Sequence, residues 1–62
     1  MRNAHRQLIL DRLTRDYPTA PVEEISTSLT DAEQLVADMF HDAPWSRVEA
    51  YARMHLEARY GG

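Results

Sequence analysis

Apolar residues recur along this chain at helical intervals, in three runs separated by prolines at positions 18, 21 and 44. In the first run, NAHRQLILDRLTRDY, Ile9, Leu13 and Tyr17 repeat every four residues with Leu10 beside them. That spacing predicts a helix over about residues 3–17 with one apolar stripe, and Leu8 points away from it. Pro18 ends the helix, because the residue before a proline is pushed out of the α region. In the second run Val22, Ile25, Leu29, Ala32, Val36, Met39 and Ala43 are spaced 3, 4, 3, 4, 3 and 4, with Leu35 and Phe40 on its flank. This heptad-like seam predicts a helix over about residues 21–42. In the third run Trp45, Val48, Tyr51, Ala52, His55 and Leu56 share one face of a helix over about residues 44–60, and Tyr60 widens that face to about half the circumference.

Punctuation supports these boundaries. Pro21 and Pro44 suit helix starts, with Ala43 the expected cap of the third helix, and Glu23 and Glu24 favour the positive end of the second. Gly61 is expected to close the third helix in the left-handed conformation. The weakest stretch is STSLT, residues 26–30, a run of poor helix formers. Thr30 with Glu33 also matches a capping box, which would start a new helix there. A continuous second helix and a break at 26–30 both remain open; the unbroken phase of the seam favours continuity. On the surfaces, Asp11 with Arg15, Arg12 with Asp16, and the ladder Glu49, Arg53, Glu57 stand at i, i+4, where opposite charges pair along a helix. The fold class is an all-α three-helix bundle in one domain, residues 1–62.

Composition narrows the function classes. A chain of 62 residues has room for one small core, and a domain of this size buries only about 60% of its unfolded surface. There is no cysteine, so disulfides, thiolate zinc sites and a thiol nucleophile are all excluded. The sequence shows neither a basic, apolar leader nor an apolar run of membrane-spanning length, which leads us to expect a cytoplasmic protein that does not enter membranes. A formal charge of -3 and a pI near 5.4 oppose non-specific phosphate binding. The seven basic side chains are all arginines, and those at 2, 6, 12 and 15 make the first helix the only locally basic element. A nucleic-acid-binding regulator using that helix, or a dimeric helix-turn-helix, is the alternative this leaves, with surface ion pairs the simpler explanation.

Candidate chemistry is sparse. His5, His41 and His55 fall on three different helices, without the HxxxH spacing of a metal site. Asp31, Asp38, His41 and Asp42 align on the polar side of the second helix, which suits either a weak cation site or a solvated acidic face. That face would equally serve an acidic adaptor or inhibitor of a basic partner protein. Ser26, Ser28 and Ser46 have neither a glycine elbow nor a neighbouring base. His55, mid-face between Tyr51 and Arg59, could act as a pH switch or be an inert core-edge histidine. The terminal diglycine reads as a helix stop and not as a conjugation tail. We therefore expect no enzyme activity, no cofactor and no metal.

What the sequence does offer is a surplus of apolar surface. Val36, Phe40, Trp45, Val48, Tyr51, Ala52 and Leu56 are the candidate core and interface residues, with Trp45 as the anchor. Aromatic residues are enriched at interface centres, and a symmetric homodimer is the commonest assembly, although another protein could equally be the partner. The punctuation also resembles a bacterial family, common in actinobacteria, described as three-helix bundle dimerization domains. The resemblance spans about residues 8–60. It lies in Asp16-Tyr17-Pro18 closing the first helix and in Pro21, Val22 and Ile25 opening the second. Phe40, Ala43 and Pro44 lead into the third helix, and Leu56, Glu57 and Arg59 stand near its end. Two departures stand out: the stretch from Pro21 to Phe40 is a turn longer than the family's, and STSLT is more polar. The resemblance implies the fold and dimer formation, and no biochemical activity.

Overall fold

A computed structural model describes residues 4–40 and 44–61, arranged as three helices: α1 (Ala4–Asp16), α2 (Val22–Met39) and α3 (Trp45–Tyr60). Among the described residues there is no strand. The bundle runs up, down and up. At one end the Arg47 guanidinium lies 4.3 Å from the Phe40 ring centroid, and at the other the Tyr60 hydroxyl donates to Glu24, so α2 and α3 are antiparallel. These two helices form the most extensive pairing, and α1 lies across both.

Backbone bonding explains the turns. The Tyr17 N–H still donates to the Leu13 carbonyl, at 2.9 Å, and the Ala20 N–H then donates to Tyr17 O at 3.1 Å. Pro18 therefore occupies the second position of a four-residue turn, where its fixed φ belongs. Pro21 and Pro44 are both extended (ψ 144° and 140°) and stand one residue before their helices. Each places its carbonyl where two N–H groups reach it: Glu24 and Ile25 for Pro21, Arg47 and Val48 for Pro44. Pro44 itself thus takes the cap position expected of Ala43, which lies outside the described residues.

Three sequence expectations are corrected here. First, α2 ends at Met39 and not at residue 42; Phe40 is extended (φ -125°, ψ 144°), although its N–H keeps a 2.9 Å bond to Val36 O. Second, Gly61 leaves α3 in an extended conformation (φ -81°, ψ 130°), so no left-handed closure occurs. Its N–H nevertheless satisfies the Glu57 carbonyl at 2.9 Å. Third, the surface charges pair mainly across helices. Arg12 reaches Glu49 on α3 at 3.1 Å, and Asp16 reaches Arg53 at 2.7 Å, instead of pairing with each other. Asp11 accepts from Gln7. Of the α3 ladder, only the Glu49–Arg53 rung forms, at 3.1 Å, because Glu57 is taken by the Tyr17 hydroxyl.

The polar run in α2 does not break the helix. Thr27 and Thr30 turn their hydroxyls back onto the carbonyls four residues earlier, Glu23 and Ser26, which satisfies them without leaving the α conformation. The alternative capping box does not form, and both its side chains are engaged elsewhere: the Glu33 carboxylate and the Thr30 hydroxyl accept from Arg6 of α1.

The core holds Ile9, Leu13 and Tyr17 from the first segment, Ala20 from the turn, Ile25, Leu29, Ala32 and Val36 from α2, and Val48, Ala52 and Leu56 from α3. Four of the seven seam positions are thus enclosed, while Val22 and Met39 at the helix ends are exposed. The accessible surface is 4280 Å², close to the roughly 4100 Å² that a compact monomer of this mass presents. The chain closes its own core.

Candidate interaction surface

The sequence-predicted interface residues divide sharply. Val36, Val48, Ala52 and Leu56 are 0–1% exposed, so they are core within one chain and offer nothing to a partner. Phe40, Trp45 and Tyr51 are half-buried and pack on that core from outside. Trp45 is occupied within the chain, its ring stacked near-parallel (22°) on His5 of α1 with centroids 6.4 Å apart. Phe40 carries Arg47 over its ring, a cation–π contact that fixes the chain where α2 stops. Tyr60, which made the α3 face look so wide, bonds to Glu24 of α2. Tyr51, by contrast, borders an open recess.

That recess lies between α2 and α3 on the side away from α1. Ser28, Asp31, Ala32 and Leu35 form one wall, Tyr51 and His55 the other, around a volume of about 90 Å³. One water needs only about 10–15 Å³, so there is room for several waters or for a side-chain tip. At its base Ser28 is 2% exposed and its Oγ has no hydrogen-bond partner among the described residues. Leu35 is 43% exposed at the rim, and Met39, 54% exposed, follows one turn on along the same edge of α2. The other large exposed apolar residues are separate: Leu8 (55%) stands on α1 among charged neighbours, Val22 (60%) opens α2, and Met54 (65%) flanks an open groove beside Tyr17, Arg53, Glu57 and Ala58. Among the described residues, the α2–α3 side combines two large exposed apolar side chains with an aromatic wall.

Sequence reasoning weighed Ser28 only as a nucleophile and gave Leu35 only a flanking place. A signal for both was present. Ser28 is three residues after Ile25 and four before Ala32, and Leu35 is three after Ala32, so both border the seam on one side. The buried arc of α2 is wider than a strict heptad seam, and it extends toward α3.

Electrostatics sets the character of the remaining surface. Two arginines of α1 are engaged with acids on the other helices, Arg6 with Glu33 at 2.7 Å and Arg12 with Glu49. Arg59 lies 3.5 Å from Glu24. Hydrogen bonding to Glu57 holds the Tyr17 phenol above its ordinary pKa, aided by desolvation, and Glu24 does the same for Tyr60. The bond to Asp16, ahead of that to Glu49, raises Arg53 further. No group of three or more His, Asp or Glu side chains that could hold a metal ion occurs among the described residues. The cation site considered from the sequence falls partly outside them, at His41 and Asp42. No helix among the described residues is long and apolar enough to cross a membrane.

The fold and this surface together define a small all-α three-helix bundle with an open cleft between its second and third helices. No family model, no curated protein and no solved structure matches the chain.

Proposed function

We propose that this protein is a protein-interaction module that self-associates, and that the surface used is the outer α2–α3 cleft. The observation that carries this is the juxtaposition of exposed Leu35 and Met39 with Tyr51 around the recess above Ser28. A small domain with a complete core has no internal use for two large apolar side chains one turn apart on one edge. Covering them with a second copy removes that surface from water, at about 25 cal/mol per Å². A standard interface takes about 800 Å² from each partner. The resemblance of the helix punctuation to a dimerization family favours the same reading.

Binding is favoured over catalysis because Ser28, the serine that shares a recess with His55, makes no hydrogen bond to any base. Protein is favoured over nucleic acid because Arg6 and Arg12, which gave α1 its basic look, are paired with Glu33 and Glu49. An acidic adaptor would use Asp31 and Asp38, which line the same edge of α2 as Leu35, so it would share this surface and add a salt dependence.

A dilution series followed by amide NMR tests the proposal. The expected result is concentration-dependent shifts confined to residues 28–39 and 47–55. Shifts centred on Leu8 or Met54 would move the interface elsewhere, and none at millimolar concentration would end the proposal.

A further inference from the structure

The charges along the cleft are ordered. Its α2 edge carries Asp31 and, seven residues on, Asp38, with Leu35 between them. Its α3 edge carries Arg47 and His55, with Tyr51 midway. Cross-helix contacts fix the levels: Phe40 meets Arg47 at one end, and Asp31, Leu35, Tyr51 and His55 border one recess toward the other. One edge therefore carries two carboxylates, and the other a guanidinium and an imidazole.

Two twofold arrangements close such a cleft on a second copy with the helices of both copies aligned. A twofold axis running across the helices sets α2 on α2 and α3 on α3, each antiparallel. Centred at Leu35 and Tyr51, it places Asp31 against Asp38 of the second copy and Arg47 against His55. The carboxylates of Asp31 and Asp38 then face one another, in both symmetric contacts, which is destabilising. A twofold axis parallel to the helices sets the α2 edge of each copy on the α3 edge of the other, at matching levels. Asp38 then meets Arg47 of the second copy, Asp31 meets His55, and Leu35 packs on Tyr51. Every contact occurs twice, as an isologous interface requires.

We propose that the occupant of the α2–α3 cleft is a second copy of this chain, bound about a twofold axis parallel to the helices, with Asp38 paired to Arg47 and Asp31 facing His55 across the interface. This rests on the self-association proposed above and adds its geometry. The carboxylates of Asp31 and Asp38, which at first suggest a cation site, become the register marks of the assembly.

The test is complementation by charge reversal. Asp38→Arg sets cation against cation in both symmetric contacts of the dimer, and Arg47→Asp sets anion against anion there. Each variant alone is expected to raise the dimer dissociation constant about tenfold. In an equimolar mixture, a dimer of one variant with the other restores both contacts. One pairs the introduced arginine with the introduced aspartate, and the other is the native pair. The mixture should return to within about twofold of the wild-type affinity. Because Arg47 also covers Phe40, the pair Asp31→Arg and His55→Asp is run in parallel, with helicity checked by circular dichroism. Tighter association by Asp38→Arg alone would overturn the proposal in favour of α2 lying on α2. Association unchanged in all four variants would overturn it by removing these charges from the interface. A wild-type chain that stays monomeric would defeat the self-association beneath it, and that outcome is distinct from the other two.

Discussion

The Tyr17 hydroxyl donates to the Glu57 carboxylate at 2.6 Å, joining the last turn of the first helical segment to the last turns of α3 across forty residues of sequence. Tyr17 is buried and its hydroxyl holds the exposed Glu57, so one side chain both fills the core and fastens its edge. Tyr60 repeats the arrangement with Glu24 of α2.

Replacing Tyr17 by Phe keeps the ring and removes the bond. A loss of about 1 kcal/mol is expected, since Glu57 is solvent-exposed and the bond is partly screened. Urea denaturation of the two chains gives the difference directly.

The same bond predicts an alkaline weakness. Glu57 raises the Tyr17 pKa above 10.0 in the folded state, so the folded chain holds that proton more tightly than the unfolded one. The contribution is complete below pH 10 and is lost as pH rises through the raised value. Melting temperature followed from about pH 8 to about pH 12 should fall more steeply for the wild-type chain than for Tyr17→Phe. Equal slopes would assign the decline to other groups.

Leu13 is fully enclosed, and Leu13→Ala should cost about 2–5 kcal/mol, enough to unfold most of so small a domain at room temperature. Leu8→Ala, at an exposed site, should stay within about 0.5 kcal/mol. Far-ultraviolet circular dichroism of the two variants separates core from surface on α1.

Those two leucines also show how far the sequence could be read. The periodicity placed Ile9, Leu13 and Tyr17 inward and Leu8 outward, and it set the inner positions of α2 at Ile25, Leu29, Ala32 and Val36. Four-residue recurrence is a local property of a helix. It could not show that Val22 and Met39 would be exposed. At about 1.5 Å per residue, the 18 residues of α2 run several ångströms past the 13 of α1, so its ends outreach that neighbour. The pairing of Arg12 with Glu49 instead of Asp16 was equally hidden, since both acids lie within reach and only the packing of α1 on α3 decides between them. Trp45 looked like surplus because nothing local reveals that His5, forty residues earlier, lies against it. The recess at Ser28 needs two helices to exist, so one helix's pattern could only hint at it.

Thr27 is exposed, and its hydroxyl bonds only to the carbonyl of Glu23. Thr27→Ala should therefore stabilise α2 by about 0.5 kcal/mol through helix propensity alone. A rise in melting temperature would verify that the STSLT run is a continuous helix; a fall would indicate a role for the hydroxyl beyond it.

Ser28→Ala removes a buried hydroxyl that has no partner among the described residues, so the isolated fold should gain about 1 kcal/mol. Denaturation at low micromolar concentration measures this gain. A loss of stability instead would mean that the hydroxyl has a partner in solution.

Sedimentation equilibrium of the wild-type chain, from low micromolar to millimolar at low and high salt, tests the central claim most directly. The account predicts a reversible rise from the 7.2 kDa monomer toward twice that mass. The rise should persist in high salt, because Leu35, Met39 and Tyr51 supply the attraction and the charge pairs set only its register. A mass fixed at 7.2 kDa across the whole range would contradict it.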